Sequence, residues 1–318
     1  MFEDFLVNTI SFKVTIDLVT FAYEFKTNLM KYLFSFFMIA FSFGSIYSQT
    51  VKYSSAWFGP NANPVAEFTD ARIPEKTTFS LMADYYFGYG DQTKNGYFKI
   101  EIPLLSERVS LKIWSTVLEN YVTTADVMQA RGSSTVSGSE GGDIYVQTRI
   151  RLLKEQTNRP SIILNSTLKT ASATTYKTRR YFDTPGYYFD LEVGKSIATS
   201  GRFISEIRGV ANLGFMCWET TNSAQDDAPI YGGKLIIGNP RWKLENTLSG
   251  YWGWIHTSTR LNPAGDYGDA PLVYATKLSI LKGNIDYFAQ YQYGIRNFPY
   301  HQIRVGISFP ISKLTPKY

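Results

Sequence analysis

The chain has 318 residues, enough for one large domain or two ordinary ones, and its 32 basic and 27 acidic residues leave a net charge of only +5, with no basic run suited to nucleic acid. One cysteine, Cys217, excludes an internal disulfide framework and any multi-cysteine metal site, and two histidines, His256 and His301, leave little for a histidine-based metal centre. Aromatic residues make up 16% of the chain against 19% charged, a pairing that suits a surface partly facing lipid, where Tyr and Trp settle at headgroup level.

In chain order, the first informative segment is Met30–Thr50, MKYLFSFFMIAFSFGSIYSQT. Lys31 is a basic n-region, Tyr32–Phe43 an apolar h-region and Gly44–Ser48 a small-residue exit, the layout of a secretory signal peptide cleaved near Ser48–Gln49. Residues 1–29 read as a segment upstream of a true start at Met30. Residues 49–76, with Pro60, Pro64 and Pro74 spaced through them, read as an extended periplasmic leader, too short for a folded plug domain, with folding into the periplasmic mouth on Trp57 as the alternative.

From residue 77 to 310 the chain alternates apolar and polar residues in runs of about ten, bounded by Gly, Pro, Asn and Asp. Twelve strands are expected: 78–88, 97–104, 109–120, 143–153, 161–169, 186–195, 202–218, 230–238, 241–254, 272–281, 285–294 and 301–310, followed by a short tail, 311–318. Their links alternate. Leu105–Arg108, Lys154–Pro160, Ser196–Gly201, Asn239–Pro240 and Lys282–Asn284 are tight. Tyr121–Gly142, Thr170–Pro185, Glu219–Asp227 and Ile255–Pro271 are long and polar, and the shorter links Gly90–Asn95 and Arg296–Tyr300 fall in their phase. Short turns at one end and long loops at the other predict an all-β fold, a transmembrane antiparallel up-and-down β-barrel of about twelve strands in the outer membrane.

Parity sorts each strand into two faces. The polar face carries Asp84, Lys99, Glu101, Lys112, Arg149, Arg151, Lys169, Asp190, Glu192, Glu206, Arg208, Lys243, Glu245, Lys277, Asp286 and Arg304, which are expected to line a lumen. Such a lining admits two readings: charged rings that select solutes, or an ion-pair network that holds the barrel shape. Trp218, Trp242, Trp252, Trp254, Tyr287, Tyr291 and Tyr293 are expected at the two membrane interfaces. A soluble sandwich would show the same alternation with its apolar face inward. The export signal, the loop phase and the aromatics favour the barrel.

The leader, GDIYVQTRIRLL at 142–153 and RYFDTPGYYFDLEVGK at 180–195 resemble outer-membrane barrel proteins of Bacteroidetes. More distantly, residues 50–318 are similar to the barrel superfamily of phenol-degradation-pathway and long-chain-fatty-acid channels. That resemblance implies an outer-membrane barrel passing small or apolar molecules, and carries over no binding residues. The partners expected are outer-membrane lipid, small solutes and, during insertion, the barrel-assembly machinery; no nucleic acid and no cofactor is expected. A structural or accessory barrel of an envelope complex is the alternative from another class. The segment WIHTSTRLN at 254–262 resembles the His–Ser–Asn arrangement of outer-membrane phospholipases through His256, Ser258 and Asn262, but Thr259 and Arg260 depart from that family's pattern.

Overall fold

The computed structural model describes residues 58–317, apart from 63, 106, 175–176, 183, 200, 202, 220–224 and 254–268. The expected upstream segment, the signal peptide, Trp57, Trp254 and the 254–262 segment therefore lie outside the described residues.

Twelve strands close into a cylinder: β1 (Thr78–Gly88), β2 (Asp91–Leu104), β3 (Val109–Thr123), β5 (Ile144–Leu153), β6 (Ser161–Lys169), β7 (Gly186–Ala198), β8 (Glu206–Glu219), β9 (Gln225–Asn239), β10 (Trp242–Tyr251), β11 (Leu272–Lys282), β12 (Ile285–Arg296) and β13 (His301–Pro310). Each pairs antiparallel with its neighbours in the chain, and β1 pairs with β13 from Thr78↔Pro310 to Phe87↔His301, so none of the twelve keeps a free edge. A short strand β4 (Ser137–Glu140) lies outside this ring, against the far end of β3. Each of the twelve barrel strands has at least the nine or so residues a tilted strand needs to cross hydrocarbon.

The faces are inverted relative to a soluble sandwich. Leu213 is 68% exposed and Val305 50%, while Arg149 is 1% exposed and Lys169 and Arg208 are fully buried. Water would not sort residues this way, because burying charge while exposing apolar wall is unfavourable on both counts. A surrounding hydrocarbon reverses the preference, and it demands the complete backbone pairing that closure supplies.

Several boundaries differ from expectation. The link expected at Gly90–Asn95 is a two-residue turn, with Tyr89 and Gly90 at φ of 50° and 67°, as a primed hairpin turn requires. β2 consequently starts at Asp91 rather than Tyr97, and β9 starts at Gln225 rather than Ile230. The loop expected at Tyr121–Gly142 is partly ordered. It holds helix α1 (Ala125–Arg131), capped by the Thr124 hydroxyl accepting from the Val127 N–H at one end and by left-handed Gly132 at the other, and then β4.

The reading of residues 49–76 as a leader outside the barrel does not hold for residues 58–76, which run through its interior. Phe58, Ala62, Val65, Phe68 and Ala71 are buried there. The segment passes from the long-loop rim, where the Tyr300 hydroxyl donates to the Phe58 carbonyl (2.7 Å), to the short-turn rim, where Thr77 is held by the C-terminal tail through Thr315 Oγ1 (2.9 Å). Length set the expectation: a stretch this short cannot fold alone, but it needs no core of its own when the barrel wall supplies every partner.

Leu213 stands near the middle of β8, so Leu213→Arg is expected to lower the stability of the barrel refolded into phospholipid bilayers by about 2–4 kcal/mol, read from urea midpoints. An unchanged midpoint would mean that this wall does not face hydrocarbon.

Candidate functional site: the barrel interior

Glu192 on β7 is the main anchor of the internal segment. Its carboxylate accepts from the Thr69 N–H (2.9 Å), the Thr69 hydroxyl (2.8 Å) and the Ala71 N–H (3.0 Å), and pairs with Arg149 (3.1 Å). Arg149 also donates to the Arg72 carbonyl (2.9 Å) and pairs with Glu101 (2.5 Å), tying β2, β5 and β7 to one stretch of chain. Arg208 donates to the Asp70 carbonyl (2.7 Å) and Lys234 to the Phe68 carbonyl (2.7 Å). On the opposite wall Arg304 binds Asp84 through two nitrogens (2.6 and 2.8 Å) and Glu67 through the third (2.5 Å). Charges buried this deeply are tolerated only when paired and hydrogen-bonded, and these are.

A second cluster lies in the interior toward the long loops. Arg180, from the link between β6 and β7, reaches Asp91 and Glu119 (both 2.5 Å), and Arg131 at the end of α1 also reaches Asp91 (2.6 Å). Tyr181 donates to Glu119 (2.9 Å), and Asn61 of the internal segment donates to the same carboxylate. A Cβ at Gly59 would stand 2.5 Å from the Arg180 guanidinium carbon, so any larger residue there would displace that guanidinium. These links join α1, two loops, two strands and the internal segment in one network.

The remaining expected lumen residues fall into place individually. Lys169 pairs with Asp143 (2.7 Å), Lys277 with Glu245 (3.1 Å), Glu206 with Arg72 (2.5 Å) and Arg151 with Glu107 at the short-turn rim (3.3 Å). Asp190 accepts from Asn165 (2.7 Å) and Asn212 (2.6 Å). Lys243 and Asp286 line an interior cavity, as do Lys99 and Lys112. Among the expected interface aromatics, Tyr287, Tyr291 and Tyr293 are exposed along β12, Trp252 is half exposed under the Arg296 guanidinium (4.6 Å), and Trp242 packs on Phe203 near a short turn (4.9 Å). Trp218 stands in β8 opposite Gly186; its side chain is outside the described residues.

Sequence parity missed Glu119, Lys234, Asp91 and the whole internal segment. A β-bulge explains the first: Gly96 pairs with Leu118 and Tyr97 with Thr116, so Val117 is extra and everything beyond it changes face. Lys234 shares its face with Ile230 and Ile236, which disguises that face as apolar.

The internal segment leans on the wall from β5 to β8 and leaves space beside it. A cavity of about 580 Å³ opens toward the short-turn side, bordered by Lys99, Glu101, Lys234, Lys243, Lys277 and Asp286 among others. A smaller one of about 70 Å³ adjoins it, walled by Tyr86, Tyr97, Trp114, Tyr145, Tyr188 and Phe298. Val65, Glu67, Lys99, Lys112, Gln292 and Arg304 border both, forming the neck between them.

No protein-family model and no curated protein matches the sequence. Solved structures do. An outer-membrane channel from Pseudomonas putida F1 superposes with a TM-score of 0.50 at 11% identity, covering 77% of this chain and all of that one. NanC porin follows at 0.47 and 9%, covering 73% and 100%, and KdgM porin at 0.43 and 10%, covering 73% and 99%. At such identities the likeness is one of fold, and the fold is that of an outer-membrane β-barrel.

Proposed function

We propose that the chain is an outer-membrane channel for small solutes, narrowed by its own N-terminal segment. One observation carries the reading: a cavity of about 580 Å³ bordered by charged and polar side chains lies inside a wall whose outer face is apolar. A barrel kept only as a membrane anchor has no use for a hydrated interior space, whereas twelve strands enclose more room than side chains alone fill. The porin and channel folds to which the chain is similar support the same reading.

Among the described residues the Arg180 network stands across the long-loop end of the route, and on this reading passage requires residues 58–72 to shift. Many of the contacts that hold them are side chains of the wall gripping backbone groups, which can be released without unfolding a strand. The same Arg180 network favours a second reading, a structural or accessory barrel that never opens. Export through the signal at 30–48 and insertion by the barrel-assembly machinery belong to either.

Two experiments test this. In planar bilayers, deleting residues 58–72 is expected to raise single-channel conductance several-fold over the full chain, with Glu192→Gln intermediate because it loosens the Thr69 and Ala71 contacts. Silence from all three proteins across several salts would support the accessory barrel. Separately, Arg180→Ala leaves Asp91 and Glu119 buried with less countercharge, and should cost about 3–5 kcal/mol of stability in urea refolding, as breaking a buried ion pair does. A change well under that would show that the long-loop rim is not held by this network.

A further inference from the structure

The neck between the two cavities contains a cation without a direct ion pair among the described residues. Arg304 is fully engaged by Asp84 and Glu67, and Lys99 lies 3.6 Å from the same Glu67. Lys112 differs. It is 3% exposed, borders both cavities, and among the described residues has neither an ion pair nor a hydrogen bond; its ammonium rests 4.8 Å from the centre of the Trp114 ring. Glu101 stands directly opposite in the β2–β3 register, yet its carboxylate is taken by Arg149 and by the Ser110 hydroxyl (2.7 Å). Glu192 is likewise occupied by Thr69, Ala71 and Arg149.

Glu101 and Glu192 share one arginine, Arg149, and also face Lys112, so the Lys112 charge is balanced while its N–H donors keep no direct partner among the described residues. An ammonium so enclosed gains from a desolvated anion far more than one in bulk water does. An aromatic face beneath it restrains the side chain while leaving its three N–H donors for something else.

We infer that the neck is a binding site for the anionic group, carboxylate or phosphate, of a small acid. Lys112 is its principal donor and Lys99 its neighbour, and the body of the acid occupies the larger cavity beside Phe68 and Phe288. This rests on the channel reading and names its solute class. The smaller cavity, at about 70 Å³, has room for the anionic group and a water but not for the rest of such a molecule.

Isothermal titration of the detergent-solubilised full chain with sodium benzoate and with inorganic phosphate tests the site, the two arms separating carboxylate from phosphate. Saturable binding of at least one is expected, weakened tenfold or more in Lys112→Met and less than twofold in Lys243→Met, a lysine that borders only the larger cavity. Lys112→Met breaks no direct ion pair or hydrogen bond, and its folding is checked by its urea midpoint beside that of the parent; Lys112→Gln serves as a second variant of similar length. Equal affinity in the parent and both Lys112 variants, or no saturable binding of either anion, overturns the proposal. Bilayer conductance is scored separately. A silent barrel that still binds anions retains the site and sinks the channel reading, and a conducting barrel that binds neither does the reverse.

Discussion

The pairing of β1 with β13 turns a twelve-stranded ribbon into a cylinder, and every other feature is arranged around that closure. A sheet edge exposed to hydrocarbon would leave a row of amide and carbonyl groups without partners, each at a cost of several kcal/mol. Ten residue pairs from Thr78↔Pro310 to Phe87↔His301 remove the edge. Once the ring is shut, side chains have only two destinations, lipid or interior, and period-two alternation distributes them. The apolar exterior and the charged interior are therefore one consequence seen from two sides.

A closed ring of this circumference encloses more volume than its own inward side chains fill. Part of the remainder is taken by residues 58–76. Wall side chains grip much of their backbone: Arg208, Lys234 and Arg149 donate to the carbonyls of Asp70, Phe68 and Arg72, and Glu192 accepts from the amides of Thr69 and Ala71, while Asn61, Glu67, Thr69 and Arg72 are also bound through their side chains. An extended segment has no internal ladder, so its backbone groups need partners elsewhere. The inward charges of the wall provide them. The interior charges thus have a double part, pairing with one another and serving as the hydrogen-bonding complement of a strandless chain.

The wall was legible in the sequence wherever strands cross an apolar layer, because there the contrast between faces is greatest. In β13, Ile303 and Val305 against Gln302 and Arg304 leave no ambiguity. Legibility fell off toward the long-loop rim. The beginning of β2, DQTKNG, is polar on both faces, so it reads as loop although Asp91, Thr93 and Asn95 turn inward in strict alternation. Glu119 was hidden by one extra residue, Val117, which reverses parity midway along β3. The internal segment had no strand period to detect, since its buried Phe58, Ala62, Val65, Phe68 and Ala71 fall three or four residues apart rather than two.

The residue that clasps Glu67 from the far wall, Arg304, belongs to the last strand, while the anchors for Thr69 to Arg72 lie on β5 to β8. The segment is also continuous with β1, the strand onto which β13 zips. Its contacts are therefore complete only when the seam is shut, because one of the residues that hold it belongs to the closing strand. A cylinder closed in this way is tied to residues 58–76 from two walls at once, and passage through it is a matter of rearranging that resident chain.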